Sequence, residues 1–391
     1  MLVAGALVGN ASATEHEAGR QPFDRAEWKN EFERVKLGLA QGYANLDWQI
    51  ERRGLNLQRM SEQIHAMLDR ANSDVEAVVV FTKLIHAFKD PHLQLQIGPP
   101  PASATLLPKK DVVEASAPSG ECCSAAQSSA AKGDTRLPYP RAAGWKQLSS
   151  VPFRSGVLGD VGFLRIPSFS EEDYPASRQK VARTNMNARA IQLATRAELN
   201  RQLTEQIAAL RGAGVRKLVI DVTGNGGGSE WSTEVAGLLA SGKLTRRAPM
   251  LANPSCDRAS VWEGKRPCSI YGKAAETEEL QGRGVWNGPL AVLTDRRSAS
   301  ATEELVTWLK DNKKAVIAGE RTFGAGCGYV DGGSAIALNA ANLHIMVPNC
   351  SRYTSEGVNE IEGIAPDVAA DWATLEPEEI PRLLEKIFER R

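Results

Sequence analysis

Three short apolar runs constrain the fold of this chain more than any other feature of its sequence. They occupy residues 217–222, 290–293 and 315–318, and each is nearly continuous in apolar side chains. Runs of this length are typical of strands that are buried on both faces, as in parallel sheets. The first two runs lead into a turn of small residues and then into a helical pattern. This repetition of strand, turn and helix predicts an α/β core with parallel strands.

The charge balance of the chain argues against a nucleic-acid partner, and its hydropathy argues against a transmembrane segment. The 391 residues include 47 Lys and Arg against 47 Asp and Glu, so the formal net charge is zero. We therefore expect no nucleic-acid partner, because phosphate binding relies on clustered positive charge. No stretch approaches the roughly 20 apolar residues of a transmembrane helix, so we expect no transmembrane segment. The oligomeric state is left open.

The N-terminus has features of an export signal. Residues 2–8 form a short apolar run, and residues 11–13 read Ala-Ser-Ala, a pattern like a signal peptidase site. The usual positive charge before the apolar run is missing. We expect a periplasmic or secreted protein, with a disordered Ala-rich tail as the alternative.

The six cysteines bear on both the compartment and the cofactors. In an exported protein, some of them should form disulfides. Cys256 and Cys268 could close a loop, and Cys327 and Cys350 could join neighbouring strands, although spacing cannot fix the pairing. No cysteine has the spacing of a zinc site, and we predict neither a metal nor a cofactor.

Composition and periodicity divide the chain into four regions. We expect a signal-like or disordered N-terminus over residues 1–22, a helical region over 23–98 and a loop-rich insertion over 99–155. The α/β domain with the candidate catalytic turns occupies residues 156–391.

Individual elements are predicted at several places. Residues 93–97 alternate with period two and indicate a strand. We expect one long helix over residues 178–212 and a second from about 230 to 239. Further strands are expected near residues 326–330, 334–338 and 343–347.

The turn after the first apolar run is rich in glycine. Residues 223–228 read Thr-Gly-Asn-Gly-Gly-Gly, which permits positive φ angles and close backbone approach. No Gly-Lys-Ser/Thr follows, so this is not a P-loop. Exposed N–H groups at a helix N-terminus would suit an oxyanion hole, and a purely structural turn is the alternative.

The turn after the second run contains five small residues, 298–302. A serine on a sharp strand-to-helix turn is exposed at the positive end of a helix, which favours nucleophilic attack. The alternative is that Ser298 or Ser300 caps the helix, with Glu303 completing a capping box.

Taken together, the segments LVIDVTGNGGGSEW, RRSASATEE, GERTFGAG and GIAPD resemble the C-terminal processing (tail-specific) peptidases and their tricorn-core relatives. The resemblance covers roughly residues 84–370. It implies a crotonase-like (ββα-type spiral) catalytic core with a helical N-terminal region, and a serine-type endopeptidase activity. It also implies that Ser300 is the nucleophile, with oxyanion donors at the amides of Ala301 and of Gly226 or Gly227.

The resemblance further bears on the catalytic base. Ala325 stands where the processing peptidases carry a lysine, so a Ser-Lys pair is excluded at that position. The tricorn-like branch uses a histidine in an Asp-x-His motif, which points to His92. The supporting carboxylate falls on Glu360, with Glu356 and Glu362 as rivals. In that branch a serine often precedes the histidine and acts as a relay, but the residue at this position here is Pro91. Either another hydroxyl takes this role, from Ser351, Thr354 or Ser355, or the relay is absent.

Two functions are therefore expected from the sequence. The first is a serine peptidase that hydrolyses exported or unfolded polypeptides, with a peptide or protein as its substrate. The alternative is a catalytically inactive ligand- or peptide-binding module on the same fold.

Overall fold

The computed structural model describes residues 22–107, 137–252, 259–265 and 277–389. The α-helices within these ranges are α1 Arg25–Gly42, α2 Leu46–Glu51, α3 Leu57–Leu68, α4 Asp74–Ala87, α5 Pro175–Val181, α6 Ala188–Gly212, α7 Trp231–Leu239, α8 Ala301–Asp311 and α9 Ile380–Phe388. The strands are β1 Gln94–Ile97, β2 Thr105–Leu106, β3 Lys146–Ser149, β4 Ser155–Leu158, β5 Val161–Arg165, β6 Lys217–Asp221, β7 Ser241–Arg247, β8 Met250–Leu251, β9 Thr277–Arg283, β10 Leu290–Thr294, β11 Val316–Gly319, β12 Ser334–Leu338, β13 Leu343–Val347, β14 Cys350–Ser351 and β15 Val368–Ala369.

A seven-stranded sheet forms the centre of the fold, with the strand order β15-β11-β10-β6-β5-β4-β3. The five strands from β15 to β5 run parallel, and β4 and β3 add an antiparallel edge. The three apolar runs of the sequence become the neighbouring strands β6, β10 and β11. The predicted α/β core with parallel strands is therefore confirmed.

Helices cover both faces of this sheet, which explains why its strands are apolar throughout. Leu218, Ile220 and Val292 share one buried cluster with side chains of α6, α7 and α8. Val219 and Ala291 point to the other face and pack with side chains of α9. Burying one large aliphatic side chain stabilises a fold by about 1.5–3 kcal/mol, so the two-sided burial fixes these strands firmly.

A second sheet, with the order β1-β13-β12-β2, packs on the N-terminal helices. Phe32 of α1 and Phe81 of α4 share a buried cluster with Ile336 of β12 and Ile345 of β13. This packing confirms the predicted helical N-terminal region. It also fixes the position of β1, and therefore of the residues that immediately precede it.

Two element predictions were wrong. The expected helix over 178–212 is two helices, α5 and α6, because Asn187 caps a new helix by accepting a hydrogen bond from the Ala190 amide at 2.8 Å. Residues 326–330 form no strand, because their backbone is packed against side chains rather than against another strand. The strands expected near 93–97, 334–338 and 343–347 are present as β1, β12 and β13.

Cys327 and Cys350 form a disulfide, one of the two pairs considered from the sequence, although Cys327 lies in a loop. The signal-like residues 1–21 and the pair Cys256 and Cys268 lie outside the described residues.

In the part of the chain that the structure describes, no helix is long and apolar enough to cross a bilayer. The same ranges contain no group of three or more His, Cys, Asp and Glu side chains that could hold a metal ion.

Candidate active site

Ser300 lies on a sharp turn between β10 and α8, with φ 55° and ψ −121°. A positive φ is uncommon for a residue with a side chain, and it persists only where the surroundings hold it. Here the Ser300 amide donates to Glu303 Oε2 at 3.0 Å. The Ser298 hydroxyl donates to the Val222 carbonyl at 3.0 Å and accepts from the Asp295 amide at 3.0 Å. The turn is therefore held from both sides.

The glycine-rich turn meets this serine turn at the carboxyl ends of β6 and β10. Asp295 accepts the Gly224 amide at 2.8 Å. The Asn225 carbonyl accepts the Ala299 amide at 3.0 Å and the Thr302 hydroxyl at 2.9 Å. These bonds join the two turns that the sequence singled out.

Gly227 lies so close to the serine turn that a side chain at this position would not fit. A Cβ placed on it would lie 2.8 Å from Ser300 Cβ and 2.9 Å from the Ala301 nitrogen. Its amide, however, donates to Asn225 Oδ1 at 2.9 Å, which argues against Gly227 as an oxyanion donor. Gly228 and Ala301 line the same cavity as Ser300. Gly228 belongs to the glycine-rich turn but was not among the oxyanion donors expected from the sequence.

His92 reaches the site from the N-terminal part of the chain, two residues before β1. Its Nε2 lies 3.2 Å from Ser300 Oγ. The His92 amide donates to Asp90 Oδ1 at 3.0 Å, and Asp90 Oδ2 accepts the Tyr43 hydroxyl at 2.9 Å. Burial lowers the pKa of His92, while the nearby Asp90 carboxylate opposes this shift. The imidazole is therefore neutral near pH 7, which suits a proton acceptor.

Glu360 is buried, and its hydrogen bonds go to groups other than Ser300 and His92. Its Oε1 accepts the Thr307 hydroxyl at 3.0 Å and Arg352 Nε at 2.8 Å. No hydrogen bond joins Glu360 to His92 among the residues that the structure describes. A Cβ placed on Gly326 would lie 2.2 Å from Glu360 Oε2, so the backbone at this glycine packs against the free oxygen.

The other candidates considered around the histidine have different surroundings. Glu356 and Glu362 are exposed, and Glu362 accepts a bond from Trp48 Nε1 at 3.1 Å. The candidate relay hydroxyls bond to groups other than His92, and these partners are Asn359 for Ser351, Val358 for Thr354 and Asp311 for Ser355.

Glu303 has a larger part in the site than its sequence position indicated. Its side chain is fully buried. One oxygen accepts the Thr322 hydroxyl at 2.5 Å and the Gly324 amide at 2.8 Å. The other accepts the Ser300 amide at 3.0 Å and the Ala325 amide at 2.7 Å. Burial raises the pKa of Glu303 to about 7, although these hydrogen bonds oppose the shift. The carboxylate thus ties the serine turn to residues 322–325.

A cavity of about 800 Å³ opens at Ser300. His92, Ala301, Gly228 and Tyr329 line it near the serine, and the Arg246 guanidinium lies 4.3 Å from the ring centre of Trp308 on a more distant part of its wall. Pockets of about 300–1,000 Å³ bind ligands the size of a drug molecule. The arrangement can therefore hold an extended chain beside a hydroxyl that has a base within reach.

The chain is similar to known peptidases in sequence and in fold. Residues 160–370 match the profile of Peptidase family S41. The chain is 33% identical over 129 residues to carboxyl-terminal-processing peptidase 3, chloroplastic, of Arabidopsis thaliana, a match that covers 30% of this chain and 23% of the relative. It is 34% identical over 180 residues to the C-terminal processing peptidase, chloroplastic, of Tetradesmus obliquus, covering 44% of this chain and 32% of the relative. The matched segments therefore span less than two thirds of either relative.

The fold itself is similar to that of mature CPAF, solved in complex with lactacystin. The two structures superpose with a TM-score of 0.61 at 14% sequence identity, and the match covers 94% of this chain and 97% of that one. At this identity, the likeness bears on the fold alone.

Proposed function

Because the chain belongs to Peptidase family S41, whose profile matches its residues 160–370, we propose that it is a serine peptidase with Ser300 as nucleophile and His92 as base. The observation that carries this proposal is the distance of 3.2 Å between His92 Nε2 and Ser300 Oγ. A nucleophile and a base within hydrogen-bond reach are the first requirement of such a mechanism.

The acylation step uses groups that lie around Ser300. Ser300 Oγ attacks the carbonyl carbon of the substrate while neutral His92 takes the hydroxyl proton. The Ala301 amide at the start of α8 stabilises the oxyanion, together with an amide of the glycine-rich turn, from Gly226 or Gly228. The protonated imidazole then gives its proton to the leaving amine. Water then attacks the acyl-enzyme while His92 takes its proton, and the protonated His92 returns a proton to Ser300 Oγ as the acid product leaves.

Glu360 is proposed as the carboxylate that stabilises the imidazolium. It is buried, and Thr307 and Arg352 fix one of its oxygens, so its charge is held in a constant place. It acts without a direct hydrogen bond to His92. Asp90 assists, because it holds the His92 backbone and favours the charged ring.

The proposed substrates are unfolded or exported polypeptides, cleaved within the chain or near its end. A cavity of about 800 Å³ has room for an extended segment on both sides of the scissile bond. The names of the two relatives describe C-terminal processing, which fits the same class of substrate. A disulfide beside the site favours an oxidising compartment, in agreement with a periplasmic or secreted location.

Hydrolysis of an unfolded, fluorescently labelled casein tests the proposal. Wild type should release fluorescent peptides, Ser300→Ala should release none, and His92→Ala should be slower by about 10²–10⁴-fold. His86→Ala is the matched control, because His86 is exposed on α4, and it should retain wild-type activity.

Two results would contradict the peptidase proposal. Equal activity in wild type and His92→Ala would exclude His92 as the base. Casein binding by folded wild type without any hydrolysis would favour the inactive peptide-binding module instead.

A further inference from the structure

Residues 326–330, here called the covering segment, pack directly against His92. A Cβ placed on Gly328 would lie 2.7 Å from three atoms of the His92 ring. The Tyr329 ring lies 5.2 Å from the His92 ring, at an interplanar angle of 68°. The Tyr329 hydroxyl also donates a hydrogen bond to the His92 carbonyl. His92 is therefore held by this segment at its ring and its carbonyl, and by Asp90 at its amide.

The covering segment is anchored at two points to residues 349–350. Cys327 is joined by a disulfide to Cys350, which is fully buried in β14. Asn349 pairs with both backbone groups of Val330, accepting its N–H at 2.9 Å and donating to its carbonyl at 2.9 Å. The segment itself has no strand partner, so these side-chain anchors replace a β-ladder.

The composition of the segment explains why a covalent anchor is needed. Gly326 and Gly328 allow the backbone to touch Glu360 and His92, where any side chain would collide. Glycine also loses more conformational freedom on ordering than other residues do. A segment built for close approach is thus intrinsically easy to open, and the disulfide at Cys327, between the two glycines, limits that opening.

We propose that the covering segment positions His92, with Tyr329 as a positioning residue. We further propose that reduction of the Cys327–Cys350 disulfide releases the segment. This inference rests on the proposed function. Cys327 lines the cavity at Ser300 and is partly exposed. A small reductant can therefore reach its sulfur through the substrate-binding cavity, whereas Cys350 is enclosed.

The reductant is a dithiol, and the step balances as a two-electron exchange. One thiolate of the dithiol attacks Cys327 Sγ and forms a mixed disulfide, and the Cys350 thiolate leaves and takes a proton. The second thiolate of the dithiol then attacks its own sulfur in the mixed disulfide. This closes a cyclic disulfide and releases Cys327 as a thiol. The dithiol is oxidised, and the protein disulfide is reduced to two thiols.

Release of the segment should change the chemistry of His92 in a defined direction. Burial lowers the pKa of His92 in the intact structure. Opening the segment exposes the ring to water, so the pKa should rise towards its ordinary value of 6.5. The loss of positioning should lower kcat by about 100-fold, the effect expected of a displacement of about 1 Å. KM should change much less.

The experiment compares the full chain before and after treatment with dithiothreitol. The His92 imidazole is titrated by NMR, with its resonance identified from His92→Gln, and casein hydrolysis is followed over pH. Reduction should raise the pKa of His92 and lower kcat, and reoxidation should reverse both changes. Alkylation and mass spectrometry confirm that Cys327 and Cys350 became thiols.

Three variants distinguish release of the covering segment from other effects of the dithiol. Cys327→Ser/Cys350→Ser should behave like reduced wild type and should not respond to the dithiol. Tyr329→Phe keeps the ring and removes the bond to the His92 carbonyl, so it should lower kcat about tenfold with the disulfide intact. The matched control replaces the four remaining cysteines by serine, and it should keep the full response. These four are Cys122, Cys123, Cys256 and Cys268.

The outcomes distinguish this inference from the proposed function. If no form hydrolyses casein but the pKa of His92 still rises on reduction, the peptidase proposal fails and the positioning by the segment stands. If Cys327 and Cys350 are reduced while kcat and the pKa of His92 stay unchanged, the inference is overturned. If reduction abolishes the near-UV circular dichroism, the whole protein has lost its tertiary structure and the reduced form cannot test the segment. The test is then the kinetics of Tyr329→Phe, and unchanged kinetics in that variant overturn the inference.

Discussion

Glu303 makes the stability of this protein depend on pH in an unusual direction. The carboxyl group is fully buried between the nucleophile turn and residues 322–325. Its pKa is raised from 4.5 to about 7, and burial is the largest cause. The perturbation that isolates this effect is Glu303→Gln, because an amide of nearly the same shape cannot ionise.

The magnitude follows from the two pKa values. Between pH 4.5 and about 7, the folded protein retains a proton that the unfolded chain has released, so stability falls as pH rises. At about 1.4 kcal/mol for each pH unit, this interval corresponds to about 3 kcal/mol. The contribution is fully present below the pKa of the unfolded chain and is lost as pH rises through the folded pKa.

Urea unfolding of wild type and Glu303→Gln, measured from about pH 4.5 to about pH 8, checks this magnitude. At low pH the variant should be close to wild type in stability, because a protonated carboxyl and an amide each place one donor group against the same surrounding donors. The difference between the two free energies of unfolding should then shift by about 3 kcal/mol in favour of the variant as pH rises. Two curves that stay parallel across this range would show that the pKa of Glu303 is ordinary, and the reasoning from burial would fail.

Three further predictions concern the site. Since burial lowers the pKa of His92 below 6.5, the midpoint of the decline of kcat/KM on the acid side should lie below pH 6.5, and a midpoint above that value would contradict this. Gly228→Ala would place a Cβ 2.2 Å from the Phe169 carbonyl carbon and should cost about 1–3 kcal/mol in urea unfolding, whereas Gly226→Ala meets no heavy atom within 4 Å and should cost much less. Ala325→Lys should give no gain in casein hydrolysis, because His92 already occupies the place of the base; a large gain would point to a Ser-Lys enzyme instead.

The features predicted best from the sequence are those with a local signature. The strands β6, β10 and β11 were visible because burial on both faces requires an unbroken apolar run. The two turns were visible because runs of glycines or small residues stand where a strand leads into a helix. The Asp-x-His motif singled out His92, and the structure brings that residue to Ser300 from 208 positions away.

The features that escaped prediction depend on contacts between distant segments. The burial of Glu303 follows from residues 322–325 closing over it, which its place in a capping pattern does not reveal. The engagement of the Gly227 amide by Asn225 depends on the folded shape of the turn. The break between α5 and α6 had a readable signal, because Asn187 is a good N-cap residue, but the surrounding helical pattern obscured it.

The pairing of Ser300 with His92 is the central claim, and a fluorophosphonate probe tests it most directly. Such a probe forms a covalent adduct only with a serine that a neighbouring base activates. Peptide mass spectrometry of labelled wild type should find the adduct on Ser300, and labelling of His92→Ala should fall to the level of Ser300→Ala. An adduct on Ser300 that forms equally fast without His92, or folded wild type that is not labelled, would contradict the account.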